Sequence, residues 1–218
     1  MCGRFTLQIP PEMLAEIFGL MEIPVYPFRY NIAPTQQIPV IRQNGQNHLE
    51  FLRWGLIPSW AKDHAVGNRM INARSETVAE KPAFRTAIKY KRCLIPSSGF
   101  YEWVKEGDTK RPIYIHLKDD PLMVFAGIWE QWKSPEGGII ESCSILTTHS
   151  NKLIEPIHDR QPVILHPEEF NLWLDRNMTD PEKLKRFYQT YPSERMGMYQ
   201  VSPQVNNPRN DFSDLIRP

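Results

Sequence analysis

Apolar residues in this 218-residue chain recur at two different periods. Near the start, Leu14, Ile17 and Phe18 fall three and four apart behind Pro11, which predicts a helix over 11–20 with proline in its first turn. A proline-rich approach leads to Tyr30-Asn31-Ile32-Ala33-Pro34. Two β-rich runs, 38–42 and 49–54, flank Asn44-Gly45, the dipeptide of a tight hairpin turn. Residues 82–88 read as a short helix opened by Pro82.

From 93 to 146 the pattern is β throughout. Runs 100–104 and 113–117 flank a turn at Glu106-Gly107-Asp108, and runs 123–129 and 139–146 flank another at Pro135-Glu136-Gly137-Gly138. A further strand is expected at 163–165, helices at 167–174 and 181–190, and a last strand at 198–201. Strands without regular helical alternation predict an α+β protein. The expected architecture is one domain over 1–218, a mainly antiparallel sheet or irregular barrel with short flanking helices.

Composition narrows the function classes. Surface scaling at 25.5 kDa gives about 10,000 Å² folded against about 37,000 Å² extended, enough burial for a core without staples. No run approaches the roughly 18–20 apolar residues of a membrane span, and the N-terminus lacks the charged lead and apolar run of a signal peptide. Lys and Arg total 26 against 25 Asp and Glu, so any nucleic-acid contact must come from a local patch. Three cysteines, Cys2, Cys93 and Cys143, without CxxC spacing argue against a disulfide framework and fit a reducing cytoplasm. Twenty prolines spread along the chain suggest short, rigidly punctuated elements.

No dinucleotide, P-loop, HExxH or GxSxG motif is present, so no cofactor is implied. The pairs Asp63-His64 and His158-Asp159 are too isolated to specify a metal site. Cys2 is the unusual position. If Met1 is removed, Cys2 carries a thiol and an α-amine on adjacent carbons, with unperturbed pKa values near 8.5 and 8. A 1,2-aminothiol condenses with an aldehyde to an imine, and the thiol then closes a thiazolidine ring. An internal cysteine cannot do this. The plain alternative is a small buried cysteine near the chain start.

Six sequence blocks change the weight of these readings. They are Met1-Cys2-Gly3-Arg4-Phe5, Tyr30 to Thr35, Trp54-Gly55-Leu56-Ile57-Pro58-Ser59-Trp60, Ile71 to Thr77, Gly99-Phe100-Tyr101-Glu102-Trp103 and Ile157-His158-Asp159-Arg160-Gln161-Pro162. Together, and in this order, they resemble the SOS response-associated peptidase (SRAP) family. The resemblance implies a sensor of abasic sites in single-stranded DNA. It also implies autocatalytic removal of Met1, then a thiazolidine crosslink between the terminal cysteine and the ring-opened deoxyribose. On this resemblance Cys2 is the nucleophile, and Asn72, Glu102 and His158 fall on the other active-site positions.

The residue types suit those roles. On a strand, Glu102 shares a face with Phe100 and Val104, and an acid among apolar neighbours tends to a raised pKa suited to proton shuttling. His158 could donate a proton to the sugar oxygen as the ring opens. Asn72 could orient the amine or a phosphate, or cap a helix after Asn-Ala-Arg-Ser. Arg4 and Arg74 are the phosphate clamps of choice, with Arg160 next. Trp60 reads either as a base-stacking aromatic or as core, and Trp103 as packing.

Two positions depart from the family pattern. Ala61 stands where some relatives have a second aromatic, and Gln161 where the family often has an apolar residue, which is expected to alter packing beside His158. Lys62, Lys81, Lys89 and Lys91 could widen a basic surface. Competing functions are a thiol peptidase acting on other proteins through Cys2, His158 and Asn72, and a non-covalent reader of DNA. The expected setting is a cytoplasmic monomer of the prokaryotic or phage type, with replication-fork proteins as possible partners.

Overall fold

The computed structural model describes residues 2–107 and 109–218. In chain order its elements are β1 (Phe5–Leu7), α1 (Pro11–Phe18), β2 (Arg29–Ile32), β3 (Gln37–Asn44), β4 (Gln46–Trp54), β5 (Asn72–Arg74), α2 (Ala87–Tyr90), β6 (Arg92–Ser97) and β7 (Gly99–Glu106). There follow β8 (Thr109–Leu117), β9 (Met123–Lys133), β10 (Ile139–His149), β11 (Arg160–Pro162), α3 (Phe170–Leu174), α4 (Pro181–Leu184) and β12 (Met196–Gln200), with short 3-10 turns between.

Two sheets carry the molecule. One runs β12-β8-β7-β1-β2. In the other, β10, β4, β3, β6 and β9 pair in turn and β9 returns to β10, which closes a five-stranded barrel and leaves it no free edge. β5 and β11 both pair with β10. Pairing is antiparallel except where β4 and β5 run parallel to β10. The expected α+β class and barrel-like sheet are what the chain forms.

Local chemistry explains most of the elements. Gly45, at φ +77°, makes the turn that joins β3 to β4, in register from Asn44–Gln46 to Gln37–Arg53. The β7–β8 hairpin forms as expected, although Asp108 of its turn lies outside the described residues. α1 stops at Gly19, whose left-handed φ of +61° lets the cap amides reach Ala15 and Glu16. Its buried stripe is Leu14 and Phe18 only; Ile17 is 43% exposed, because one turn of contact with the barrel covers a narrower face than the pattern suggested.

Other expectations shift. The helix expected at 82–88 is displaced to α2, after a run of turns. The strand at 163–165 is reduced to a bridge between Ile164 and Phe125, the paired segment being β11 just before it. The helices at 167–174 and 181–190 each form as a shorter α-helix joined to a 3-10 turn.

The N-terminal strand is the element that positions Cys2. Phe5 is fully buried, edge-on to Trp54 at 5.1 Å and to Phe125 at 5.9 Å, so one aromatic plug fixes β1 against the barrel. β1 lies between β2 and β7, pairing Phe5 with Phe100 and Thr6 with Gly99. The amide of Tyr101 donates to the Arg4 carbonyl at 3.0 Å, which carries this register outward toward Cys2 and Glu102.

Candidate active site and nucleic-acid interface

Cys2 is fully buried at the end of β1. Asn72 opens β5, and its Nδ2 donates to the Cys2 carbonyl at 2.9 Å. Asn72 thus sits on a strand, not at the helix cap its sequence context allowed: β10 supplies a parallel partner, with Ile145 opposite Asn72, and the following segment is turn. The Cys2 thiol makes a weak contact, donating to the Arg4 carbonyl at 3.9 Å. Burial, with the charge of Glu102 adding to it, pushes this thiol well above its ordinary range. The unperturbed thiol value near 8.5 is therefore not the one that applies in this enclosure, which favours the protonated form at neutral pH.

Glu102 is the carboxyl whose charge acts on that thiol. β7 alternates, with Phe100 and Val104 in the main core and Tyr101 and Trp103 in a smaller aromatic cluster, so Glu102 points to the main-core side. It is 4% exposed. Burial raises its carboxyl above the ordinary range, and the nearby charge of His158 opposes that rise. His158 stands just before β11. Its Nδ1 accepts the Arg160 backbone N–H at 3.0 Å and lies 2.9 Å from Asp159 Oδ1. The neutral ring therefore has a donor for Nδ1, and the protonated ring has a carboxylate for the same atom.

Two depressions are lined by these residues, one by Glu102 and His158 and the other by Asn72. Arg4, Glu102, Trp103, Lys110, His158 and Asn206 line a cavity of about 470 Å³. Arg4 is held in it by Asn31 Oδ1 at 2.7 Å and the Val205 carbonyl at 2.8 Å, with its guanidinium 5.8 Å from the Trp103 ring. On the Asn72 side a groove of about 610 Å³ is lined by Trp60, Arg69, Asn72, Arg74, Lys81 and Phe84, with more apolar than polar surface. Trp60 is 62% exposed, which removes the core reading of that tryptophan. The loop that bears it is tied down where Trp132 Nε1 donates to the Ala61 carbonyl at 2.6 Å.

Arg160 is placed differently from Arg4 and Arg74. Its side chain is 6% exposed, with a two-pronged bond to Glu76 at 2.6 and 2.9 Å and a third to the Thr147 carbonyl at 2.6 Å. That arrangement engages the guanidinium inside the protein, as Asn31 and Val205 engage that of Arg4. Gln161 is also fully buried; its Oε1 accepts the Asn151 amide at 2.9 Å, so the polar departure from the family pattern ties the two ends of the loop bearing His158. Sequence reasoning passed over Glu76, Lys110 and Arg69. Glu76 lies within the Ala-Arg-Ser-Glu-Thr block, whereas nothing local marks Lys110 or Arg69.

Among the described residues, no group of three or more His, Cys, Asp or Glu is arranged to hold a metal ion. No helix among them is long and apolar enough to cross a membrane.

Comparison with known proteins agrees with this geometry. The profile of the SOS response associated peptidase (SRAP) family matches residues 1–208. The chain is 47% identical over 221 aligned positions to abasic site processing protein YoqW of Bacillus subtilis (strain 168), covering 99% of each. It is 29% identical to abasic site processing protein HMCES of Pongo abelii, covering all of this chain and 76% of that one. A crystal structure of a protein from Bacteroides thetaiotaomicron superposes with a TM-score of 0.87 at 28% identity, over 96% of this chain and 97% of that one. Matched along nearly its whole length in sequence and in fold, the chain belongs to the SOS response-associated peptidase family.

Proposed function

We propose that this protein processes abasic sites in DNA by capturing them covalently through Cys2. The observation that carries the reading is the hydrogen bond from Asn72 to the Cys2 carbonyl beside a buried acid, Glu102, whose charge acts on the Cys2 thiol. Glu102 in turn shares a cavity with His158. The names of the relatives, abasic site processing proteins, give the substrate class.

The chemistry runs in three balanced steps. While Met1 is attached, the Cys2 nitrogen is an amide and cannot condense with an aldehyde. Hydrolysis of the Met1–Cys2 bond consumes one water, releases methionine and frees the amine. That amine attacks the aldehyde carbon of the ring-opened sugar, loses one water and leaves an imine. The thiol then adds across the imine; sulfur bonds to carbon and the proton ends on nitrogen, which closes the thiazolidine. Glu102, its carboxyl raised by burial, carries that proton, and His158 protonates the sugar oxygen as the ring opens. Asn72 positions the terminus.

DNA is held at its backbone by Arg4 and Arg74, and Arg160 serves as an internal brace. The groove beside Asn72 suits single-stranded DNA, because Trp60 and Phe84 offer rings that only unpaired bases can stack on. Phe84 supplies the second aromatic that Ala61 does not. The same hydrolysis of Met1 makes the protein a peptidase toward itself.

The test mixes wild type, Cys2→Ala and Cys2→Ser with single-stranded DNA carrying one abasic site and resolves the products on a denaturing gel. Wild type gives a heat-stable shifted band, Cys2→Ser gives one only after borohydride reduction of its imine, and Cys2→Ala gives no heat-stable thiazolidine band. A heat-stable band from untreated Cys2→Ala, or none from wild type shown to lack Met1, overturns the reading.

A further inference from the structure

Glu76 belongs to no step above, yet it joins the two halves of the site. It lies two residues beyond Arg74, and the amide of Ser75 between them donates to the Thr147 carbonyl of β10 at 2.9 Å. Its carboxylate takes both prongs of Arg160, at 2.6 and 2.9 Å, from the strand on the other side of β10. The backbone N–H of that same Arg160 is the donor to His158 Nδ1, at 3.0 Å. An unbroken chain of contacts therefore runs from the segment holding Asn72 and Arg74, through Glu76 and Arg160, to the ring of His158.

We propose that Glu76 is a positioning residue of this site, acting through Arg160 to fix the place and tautomer of His158. Of the two groups beside Nδ1, the Arg160 backbone N–H favours the neutral ring with its proton on Nε2, and the Asp159 carboxylate at 2.9 Å, largely exposed to solvent, competes for it less firmly. That leaves Nε2 as the atom able to give a proton to a sugar oxygen. Burial, the largest single influence, would raise the Glu76 carboxyl, but the hydrogen bonds from Arg160 and from its own backbone N–H, with the charges of Arg160 and His149, together bring it below its ordinary value. His149 Nε2 lies 3.3 Å from the same carboxylate but is 76% exposed, so Arg160 is the firmer partner. The bidentate geometry depends on the carboxylate: an amide at position 76 can accept from only one prong and turns a donor toward the other.

This inference rests on the proposed function only for its kinetic arm, so the test has two arms. In the first, long-range proton–nitrogen NMR reads His158 without DNA: wild type shows unprotonated Nδ1 and protonated Nε2, and Glu76→Gln shows a mixture of tautomers. In the second, the crosslinking rate of Glu76→Gln falls about tenfold, while its affinity for the same single strand stays within about twofold of wild type. Glu76→Asp, which keeps the charge, recovers part of the rate. In a His158→Ala background, Glu76→Gln lowers the rate by less than about twofold, because the group it positions is gone. Retained affinity shows that the variant is folded. An unchanged His158 spectrum in Glu76→Gln overturns the inference, as do rate losses that multiply in the double variant. If wild type forms no adduct, the proposed function fails and the NMR arm still decides the role of Glu76.

Discussion

At Glu102 a single carboxyl is asked to live on the core side of β7, between aromatic neighbours that face the other way. Burial raises its pKa in the folded protein relative to the unfolded chain. Between those two values the folded state binds more protons, so stability falls as pH rises through them. The penalty is absent below the ordinary carboxylate range and complete above the raised value. Glu102→Gln is therefore expected to raise the thermal midpoint at about pH 8 and to change it little at about pH 3. Equal midpoint shifts at both pH values would contradict burial as the cause. The same variant should slow crosslinking by roughly 10²–10⁴-fold, the usual range for a lost proton carrier. Cys2 shows the limit of residue-level reading. Its position announces aminothiol chemistry, but its protonation depends on an enclosure built by β7 and β5, which lie far along the chain.

At the scale of elements, the close approach of Gly55 and Gly67 holds the Trp60 loop. Gly55 sits at φ +127°, and a Cβ on it would stand 2.6 Å from the Gly67 carbonyl oxygen. Gly55→Ala is expected to cost about 2–4 kcal/mol in urea unfolding, since backbone and not a flexible side chain must yield. Gly45, at φ +77° with open space around it, sets the comparison: its alanine variant bears only the left-handed backbone, about 1–2 kcal/mol. An equal cost at the two positions would contradict the steric account. Local signals had made the β3–β4 hairpin legible, because Asn44-Gly45 dictates its turn within a few residues. β5 was not legible: three residues become a strand only because β10 offers a parallel edge some seventy positions later. Barrel closure by the parallel β4–β10 pair is equally non-local. The exposure of Ile17 and the burial of Gln161 have the same origin, since each depends on what lies across from it and not on its own neighbours.

For the molecule as a whole, a net charge of +1 leaves little long-range pull on DNA, so recognition depends on where the cations stand. Arg4 and Lys110 line the cavity beside Glu102, and Arg69, Arg74 and Lys81 line the groove beside Asn72. One strand crossing both would pass the end of β1, where Phe5 pins Cys2 to the barrel. The motif blocks marked most of these residues, and the sheet topology explains why they meet. The proposed covalent capture requires a bond formed there. Its most direct test is the intact mass of the protein after incubation with a single-stranded oligonucleotide carrying one abasic site. The predicted species has the mass of the chain without Met1, plus the oligonucleotide, minus one water. An adduct on a chain that retains Met1, or free oligonucleotide beside protein that has lost it, would contradict capture through the Cys2 amine and thiol.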